Sequence, residues 1–338
     1  MELSGKNNGF GPVAPVVVFA PAPLLTSTIE QRGRQSEVHL HAGGQGFWLA
    51  RMVAALGAPV KLCGSFGGET GIVVRTLIER EGVTVCGVEV GADNATYIHD
   101  RRGGQRQFVA ETAPSSLSRH DLDELYGAML VEGLAAKVCI LGGPQGPDVL
   151  PASIYRRLAS DLGANGCVVI ADLAGEFLVA AAEGGVTVLK VSDEELLLDG
   201  RVTSNSEAEV LAAMWALRAS GAHTVVVSRA EQPTLALSDT DVVMVNTPRL
   251  EPLDTRGAGD SLTAGIAAGL ARGADIEGAL RLGAAAGALN VTRRGLGTGS
   301  RHDIENMARL IQVHPLETGA GSRAGRFAAC ATGDRETA

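Results

Sequence analysis

Four stretches between residues 137 and 228, KVCILG, GCVVIADL, VTVLKVS and TVVVS, are nearly continuous apolar runs, and the segments between them carry apolar positions every third or fourth residue. A short run without alternation is buried on both faces, as in a parallel strand covered by helices. The pattern predicts strands at Lys137–Leu141, Cys167–Ala171, Val186–Val191 and Thr224–Ser228. Helices are predicted around Leu122–Leu134, Ser153–Asp161, Gly175–Ala182 and Ser206–Ser220. This rhythm is that of a doubly wound α/β sheet.

Upstream the elements are shorter. Pro15–Ala20 reads as a first strand stopped by Pro21-Ala22-Pro23, and Glu37–His41 as a brief alternating strand. Gly43, Gly44 and Gly46 form a turn into a helix whose stripe is Leu49, Val53 and Leu56. Val60–Gly64 is the next strand, and a second glycine loop, GSFGGETG, opens a helix over Gly71–Arg80. Val83–Val88, Ala95–His99 and Gln107–Ala110 are three short strands; the turns GADN and DRRGGQ predict antiparallel pairing outside the main sheet. Downstream, Leu235–Leu237 and Val242–Val245 suggest a hairpin, and helices are predicted within Asp275–Arg293 and Asp303–Ile311. Residues 1–12 and 317–338 are polar and glycine-rich and are expected to be disordered.

The most informative stretch is EPLDTRGAGDSLTAGIAAGLARG, from Glu251 to Gly273. Gly257-Ala258-Gly259 make a turn, and Asp260-Ser261 open a small-residue helix with Leu262, Ile266 and Leu270 on one face. Free N–H groups, a positive dipole end and an acidic side chain therefore meet at one point. A terminal phosphate suits the N–H groups, because glycine lets the backbone approach it. Asp260 is repelled by that phosphate and is useful there only as an acceptor of a proton from an incoming hydroxyl. Ligands of doubly wound sheets bind beyond the carboxyl ends of the strands. Gly43-Gly44, Gly142-Gly143, Lys190–Glu195, Ser228 and Gly257–Asp260 all fall at that edge.

Composition narrows the classes. The chain has 338 residues, enough for one large α/β domain or two smaller ones, and 29 basic against 38 acidic residues give a formal charge of -9. That balance excludes a broad nucleic-acid footprint but not a local basic patch around a phosphorylated ligand. Five cysteines, odd in number and without metal spacing, read as core thiols of a reducing compartment. The segment VAPVVVFAPAPLL is broken by prolines and is shorter than a membrane span, so a cytoplasmic protein without membrane partners is expected.

DTRGAGDSLTAG resembles the nucleotide-side signature of the ribokinase-like, or PfkB, carbohydrate kinases, and AGGQGFWLARMVAALG resembles their amino-terminal signature. The glycine loops, LKVSDEE, VVVSRAEQP and GALNVTRRG follow in the family's order, so the resemblance extends from about Val16 to Val313. GSFGGETG and GGPQGP are most like the branch of 1-phosphofructokinases and tagatose-6-phosphate kinases. The resemblance implies a ribokinase-like kinase domain over 13–314, a small β lid from about 16–41 and 94–111, and a flexible tail over 315–338. It implies transfer of a phosphoryl group from ATP, with Mg2+, to an alcohol of a sugar or sugar-like acceptor, and a homodimer formed through the lid.

By the same resemblance Asp260 is the base and Gly257, Ala258 and Gly259 form the anion hole. Lys190, Ser192, Glu195, Ser228, Ala230, Thr255, Arg256 and Ala284 fall on the nucleotide side, with Glu195 linked to the divalent ion through water. Glu195 reads equally as a partner of a helix dipole, and Arg256 as a phosphate contact or a solvated arginine. Leu24, Gly43, Gly44, Gln45, Trp48 and Arg106 fall on the acceptor side. Here the chain departs from the family: Leu24 stands for an aspartate, Gln45 for a lysine, Trp48 for an asparagine, Ala230 for a glycine and Ala284 for a polar residue. Glutamine lacks the lysine's charge and tryptophan the asparagine's hydroxyl-pairing capacity, so fructose 1-phosphate, fructose 6-phosphate and tagatose 6-phosphate are expected to be poor acceptors. Arg101, Arg102, Arg106 and Gln107 at the lid hairpin are either an anion site or a solvated charge run. His41 and His99 lack a third ligand for zinc. A catalytically weak nucleotide-binding protein of the same fold is the alternative reading.

Overall fold

The computed structural model describes residues 13–316, apart from positions 145, 147, 240 and 294. The disorder expected at residues 1–12 and 317–338, and the fifth cysteine, Cys330, lie outside the described residues.

In chain order the elements are β1 (Val16–Phe19), β2 (Leu24–Arg32), β3 (Gln35–Gly43), α1 (Gln45–Ala55), β4 (Val60–Phe66), α2 (Gly68–Arg80), β5 (Thr84–Glu89), β6 (Thr96–Asp100) and β7 (Gln107–Thr112). Then come α3 (Arg119–Ala136), β8 (Val138–Gly142), α4 (Ser153–Ala164), β9 (Val168–Asp172), α5 (Gly175–Glu183), β10 (Val188–Ser192), α6 (Asp193–Leu198), α7 (Glu207–Ala219) and β11 (Thr224–Arg229). The chain continues through β12 (Gln232–Ser238), β13 (Asp241–Asn246), α8 (Ala258–Ala271), α9 (Ile276–Asn290), α10 (Arg301–Ala308) and β14 (Gln312–Pro315).

Ten strands form the main sheet in the order β14-β13-β12-β11-β10-β9-β8-β1-β4-β5. Pairing is parallel from β11 across to β5 and antiparallel among β11, β12, β13 and β14. The continuous apolar runs are divided by the two-residue period of a strand. Val17, Phe19, Cys139, Leu141, Val169 and Ala171 pack toward α3, α4 and α5, while Val16, Val18, Val138, Ile140, Ile170 and Val188 pack toward α1, α8 and α9. Both faces are thus dry, as the sequence pattern requires.

Strand order reverses at β1, which lies between β4 and β8. The crevice opened there is the place such sheets offer a ligand. Gly64, Gly142 and Gly46 crowd round it: a Cβ at Gly46 would stand 2.2 Å from that of Ala20, so only glycine lets α1 start against the end of β1.

A separate four-stranded sheet, β3-β2-β6-β7, forms the lid. Three expectations are corrected here. The lid begins at Leu24, not near 16, because β1 is a central strand of the main sheet; β5 also belongs to that sheet, paired with β4. β6 runs parallel to β2, and only its pairing with β7 is antiparallel. β2 itself, LLTSTIEQR, was not predicted, since its polar residues mask a strand whose last three residues are exposed.

The lid is joined to the body through Asn94, which is 6% exposed. Its Oδ1 accepts from Gly67 N–H at 2.8 Å, and its Nδ2 donates to Pro23 O at 2.8 Å and Ser65 O at 3.0 Å. One amide thereby satisfies main-chain groups of three segments at the lid's root.

Candidate active site

β9 ends in Asp172, and β10 carries Lys190 directly opposite it in the register. Lys190 Nζ lies 3.0 Å from Asp172 Oδ1, and Thr263 of α8 donates its hydroxyl to Asp172 Oδ2 at 2.6 Å. Both charged side chains are nearly inaccessible, at 4% and 1% exposure. Such a pair survives burial only when its partners are close and its remaining lone pairs are bonded. Burial alone would lower the Lys190 pKa, but the carboxylates of Asp172, Glu195 and Asp260 outweigh it and raise it. Lys190 is therefore a fixed ammonium. Burial raises the Asp172 pKa, against the opposing pull of Lys190 and Thr263.

Asp260 is the third residue of α8, whose N-cap, Gly257, takes φ 71°. That left-handed turn aims the open N–H end of the helix at the sheet edge. A Cβ at Gly259 would stand 2.6 Å from Lys190 Nζ, so the turn is seated against the ammonium. Asp260 is partly exposed. Burial and then the Asp172 charge push its pKa up to about 7, while Lys190 and the amide of Gln45 hold it down and Glu195 adds to the rise. A carboxylate near neutrality and open on one side is suited to accept a proton.

Ser192 caps α6: its hydroxyl accepts from Glu195 N–H at 3.1 Å, and Glu195 Oε2 accepts from both the Ser192 N–H and hydroxyl at 2.7 Å. Glu195 is thus a capping carboxylate with one oxygen engaged, and it lines a cleft of about 480 Å³ together with Asp172, Gly143, Glu176 and Gln45. Among the described residues no cluster of three or more His, Cys, Asp or Glu is arranged to hold a metal ion.

Of the remaining nucleotide-side residues, Ser228 sits at an irregularity in the β11–β12 pairing, and Ala230, exposed, has φ 34°. Thr255 is exposed in the turn before α8. Arg256 forks onto Asp254, with Nε 2.9 Å from Oδ1 and Nη2 reaching Oδ2, and its carbonyl accepts from Asn290 Nδ2 at 2.8 Å. It is exposed, and its guanidinium is paired with Asp254. Ala284 corrects its expectation: at 4% exposure it is part of the packing among α8, α9 and the sheet, with no surface for a nucleotide.

On the acceptor side Gly44 takes φ 98° as the N-cap of α1. Leu24 lies over Gly43, where a Cβ would meet its Cδ1 at 2.7 Å. Gln45 Oε1 accepts from Gly143 N–H at 2.7 Å. Trp48 is partly buried and packs on the core beneath α1, and it lines neither cavity of the site. Sequence reasoning placed Trp48 among the acceptor-side residues without fixing where its ring points; here the residue packs on the core.

The lid supplies positive charge. Arg106 lies over the Tyr97 ring with 5.1 Å from its guanidinium carbon to the centroid. Burial, then Arg256 and Arg101, lower its pKa. His99, 3% exposed, is pushed down to about 4 by burial and then by Arg106, Arg101, Arg256 and His41, so its ring is neutral. One nitrogen faces Thr28 Oγ1 at 3.1 Å, and Nδ1 has no partner. Three guanidinium groups from the lid and the turn before α8 therefore converge on one region.

Residues 23–303 match the model of the pfkB family carbohydrate kinases. The chain belongs to this family. A 1-phosphofructokinase of Bacillus subtilis is 27% identical over 276 residues, spanning 80% of this chain and 88% of that protein. An ATP-dependent 6-phosphofructokinase isozyme 2 of Mycobacterium tuberculosis is 30% identical over 310 residues, 88% of this chain and 89% of its own. The crystal structure of phosphofructokinase-2 from Escherichia coli in complex with fructose-6-phosphate superposes with TM-score 0.73 at 25% identity, covering 88% of this chain and 99% of the other. The protein is a pfkB-family kinase with the ribokinase-like fold. No helix among the described residues is long and apolar enough to cross a membrane.

For a pfkB kinase, the residue that sequence reasoning missed is Asp172, with Thr263 behind it. A signal was present: VVIAD and VTVLK each end an apolar run in a charge of opposite sign, and consecutive parallel strands bring such residues side by side.

Proposed function

We propose that this kinase transfers a phosphoryl group from ATP to an alcohol of a sugar-like acceptor that itself carries an anionic group. The observation that carries the reading is the Asp260 carboxylate, open on one side at the start of α8 and raised to about 7 by burial and the neighbouring Asp172 charge. ATP supplies the γ-phosphoryl group, whose bond to the bridging β–γ oxygen breaks with ADP as the leaving group. Asp260 takes the proton from the acceptor hydroxyl as its oxygen forms the new bond to phosphorus. Lys190, rigid on Asp172, and the N–H groups around Gly257–Gly259 hold negative charge where it develops, at no cost of reorganisation. The donor set fits the nucleotide: a fixed ammonium, an open helix end and the second oxygen of Glu195, which would reach Mg2+ through water.

Arg101 and Arg106 support the anionic acceptor, since they provide the charge that Gln45 lacks. The case against hexose phosphates rested on Gln45 lacking a lysine's charge and Trp48 lacking an asparagine's hydroxyl pairing, with Leu24 adding weight; Trp48 packs on the core and lines neither cavity, and the lid arginines supply positive charge. Hexose phosphates are accordingly the first acceptors to assay, by ADP formation, beside free sugars, nucleosides and aromatic alcohols. Saturable turnover on unphosphorylated alcohols alone would refute the anionic acceptor while leaving the kinase chemistry standing. Val38, Leu40, Phe108 and Val109 are exposed on the lid at 64%, 48%, 59% and 51%, which supports a homodimer covering that sheet. Light scattering of Leu40→Glu against the unsubstituted protein tests it: an unchanged mass rules out the lid contact.

A further inference from the structure

The peptide that joins Gly142 to Gly143, at the end of β8, is held on both sides. Tyr155 of α4, fully buried, donates its hydroxyl to the Gly142 carbonyl at 2.8 Å, and the N–H of the same peptide, on Gly143, donates to Gln45 Oε1 at 2.7 Å. A trans peptide is planar with its C=O and N–H directed oppositely, so fixing the carbonyl also aims the N–H. Between two glycines the peptide could turn over at little cost were it not clamped. The Tyr155 ring stands edge-on to Phe19 of β1 and Phe177 of α5, with centroids 5.7 and 5.4 Å away. A phenylalanine would fill that space equally well; the hydroxyl serves the carbonyl. Burial holds the Tyr155 pKa well above the usual tyrosine value, so the hydroxyl is a donor throughout the neutral range.

Gln45 and Gly143 both line the 480 Å³ cleft as well as a narrow niche bounded by Ala20, Pro23, Gly44 and Phe47. Because Gly143 offers a donor, the Gln45 amide must present its oxygen there, and its NH2 is left for the cleft. We propose that Tyr155 is a positioning residue for the acceptor: by holding the Gly142 carbonyl it turns the Gly143 N–H onto Gln45, and so sets the NH2 as the end of that amide which an acceptor oxygen meets. This role rests on the proposed reading that Gln45 lies on the acceptor side. Were the peptide turned over, a carbonyl would take the place of the N–H and the amide would reverse. The site would then offer an oxygen to the hydroxyl and phosphate oxygens it is to receive. Tyr155, buried behind the peptide, acts without touching a ligand.

The test is a double-substitution cycle of Tyr155→Phe, which removes the hydroxyl and keeps the ring, with Gln45→Met. Two quantities are followed: KM and kcat with an active acceptor, and amide hydrogen exchange at Gly143 in the ligand-free protein. Tyr155→Phe should raise the acceptor KM about three- to tenfold, leave kcat and the KM for ATP nearly unchanged, and speed exchange at Gly143 more than at the other β8 amides. In the Gln45→Met background the same substitution should add little to the acceptor KM, because the two side chains act through one peptide. Full additivity, or a KM for ATP that rises in step with that of the acceptor, would reduce Tyr155 to a support of the fold and overturn the proposal. Gln45→Met by itself must raise the acceptor KM; if it does not, the proposal falls whether or not Tyr155→Phe folds. Turnover with the acceptor KM unmoved in Tyr155→Phe overturns the positioning role alone. If the unsubstituted protein turns over no alcohol, the proposed function falls and this role with it.

Discussion

The floor of the site and its lid are built from opposite materials. Asp172, Lys190 and Thr263 project from β9, β10 and α8, are almost wholly buried, and bind one another at 2.6 and 3.0 Å. The lid offers a two-faced sheet with exposed Val38 and Phe108, an arginine resting on Tyr97, and a buried His99 nitrogen with no partner. In the floor both oxygens of Asp172 are bonded by the protein itself; in the lid a buried His99 nitrogen is left without a partner. On the proposed function, the rigid charge of the floor would serve the transfer step, and the lid groups would bear on which acceptor binds.

Substitutions on the two sides should fail in different ways, the floor through turnover and folding, the lid through affinity. The largest effect is expected for Asp260→Asn, a roughly 10²–10⁴-fold loss of turnover with nucleotide binding retained in calorimetric titration. Turnover at the original rate would remove Asp260 from the chemistry. Next is Lys190→Met, which strands the Asp172 charge; denaturant unfolding should show a loss of about 3–5 kcal/mol, as for other broken buried pairs. A loss below about 1 kcal/mol would mean the floor is not the rigid part. Arg106→Ala tests the lid: the KM for a phosphorylated acceptor should rise about tenfold with kcat nearly intact, and less so in high salt, where exposed charge is screened. An unchanged KM would reassign Arg106 to the solvated surface. The smallest effect is at Ala230, whose φ of 34° suits glycine. Relief of left-handed strain exceeds the added chain entropy, so Ala230→Gly should gain up to about 1 kcal/mol in a thermal melt.

The same contrast governs what could be read from the chain. β8 to β11 were legible because burial on both faces writes continuous apolar runs, and α8 because a small-residue turn before Asp260 is followed by Leu262, Ile266 and Leu270 at helical spacing. β2 was illegible: LLTSTIEQR mixes polar and apolar residues without a clean period, since it is paired on both sides yet exposed over its last three residues. β5 was drawn toward the lid because its neighbours in sequence are lid strands, although its partner in space is β4. Ala284 and Trp48 were placed by position in a motif, and a helix rotates neighbouring positions by 100° each, enough to send one to the site and the next into the core. Asp172 was the costlier omission. A charge at the end of an apolar strand was read as a boundary when it was half of a pair.

Asn94, bonded to Gly67, Pro23 and Ser65 at once, has a mechanical meaning. A sheet fastened at its root behaves as a lever, with this amide as the pivot and the hairpin carrying Arg101 and Arg106 as the far end of the arm. The seven residue steps from Asn94 to Arg101 make an arm of roughly 23 Å, so a swing of about 10° would carry the tip about 4 Å, a little under the spacing of neighbouring strands. Little would need to move at the fulcrum for the guanidinium groups to shift by that much.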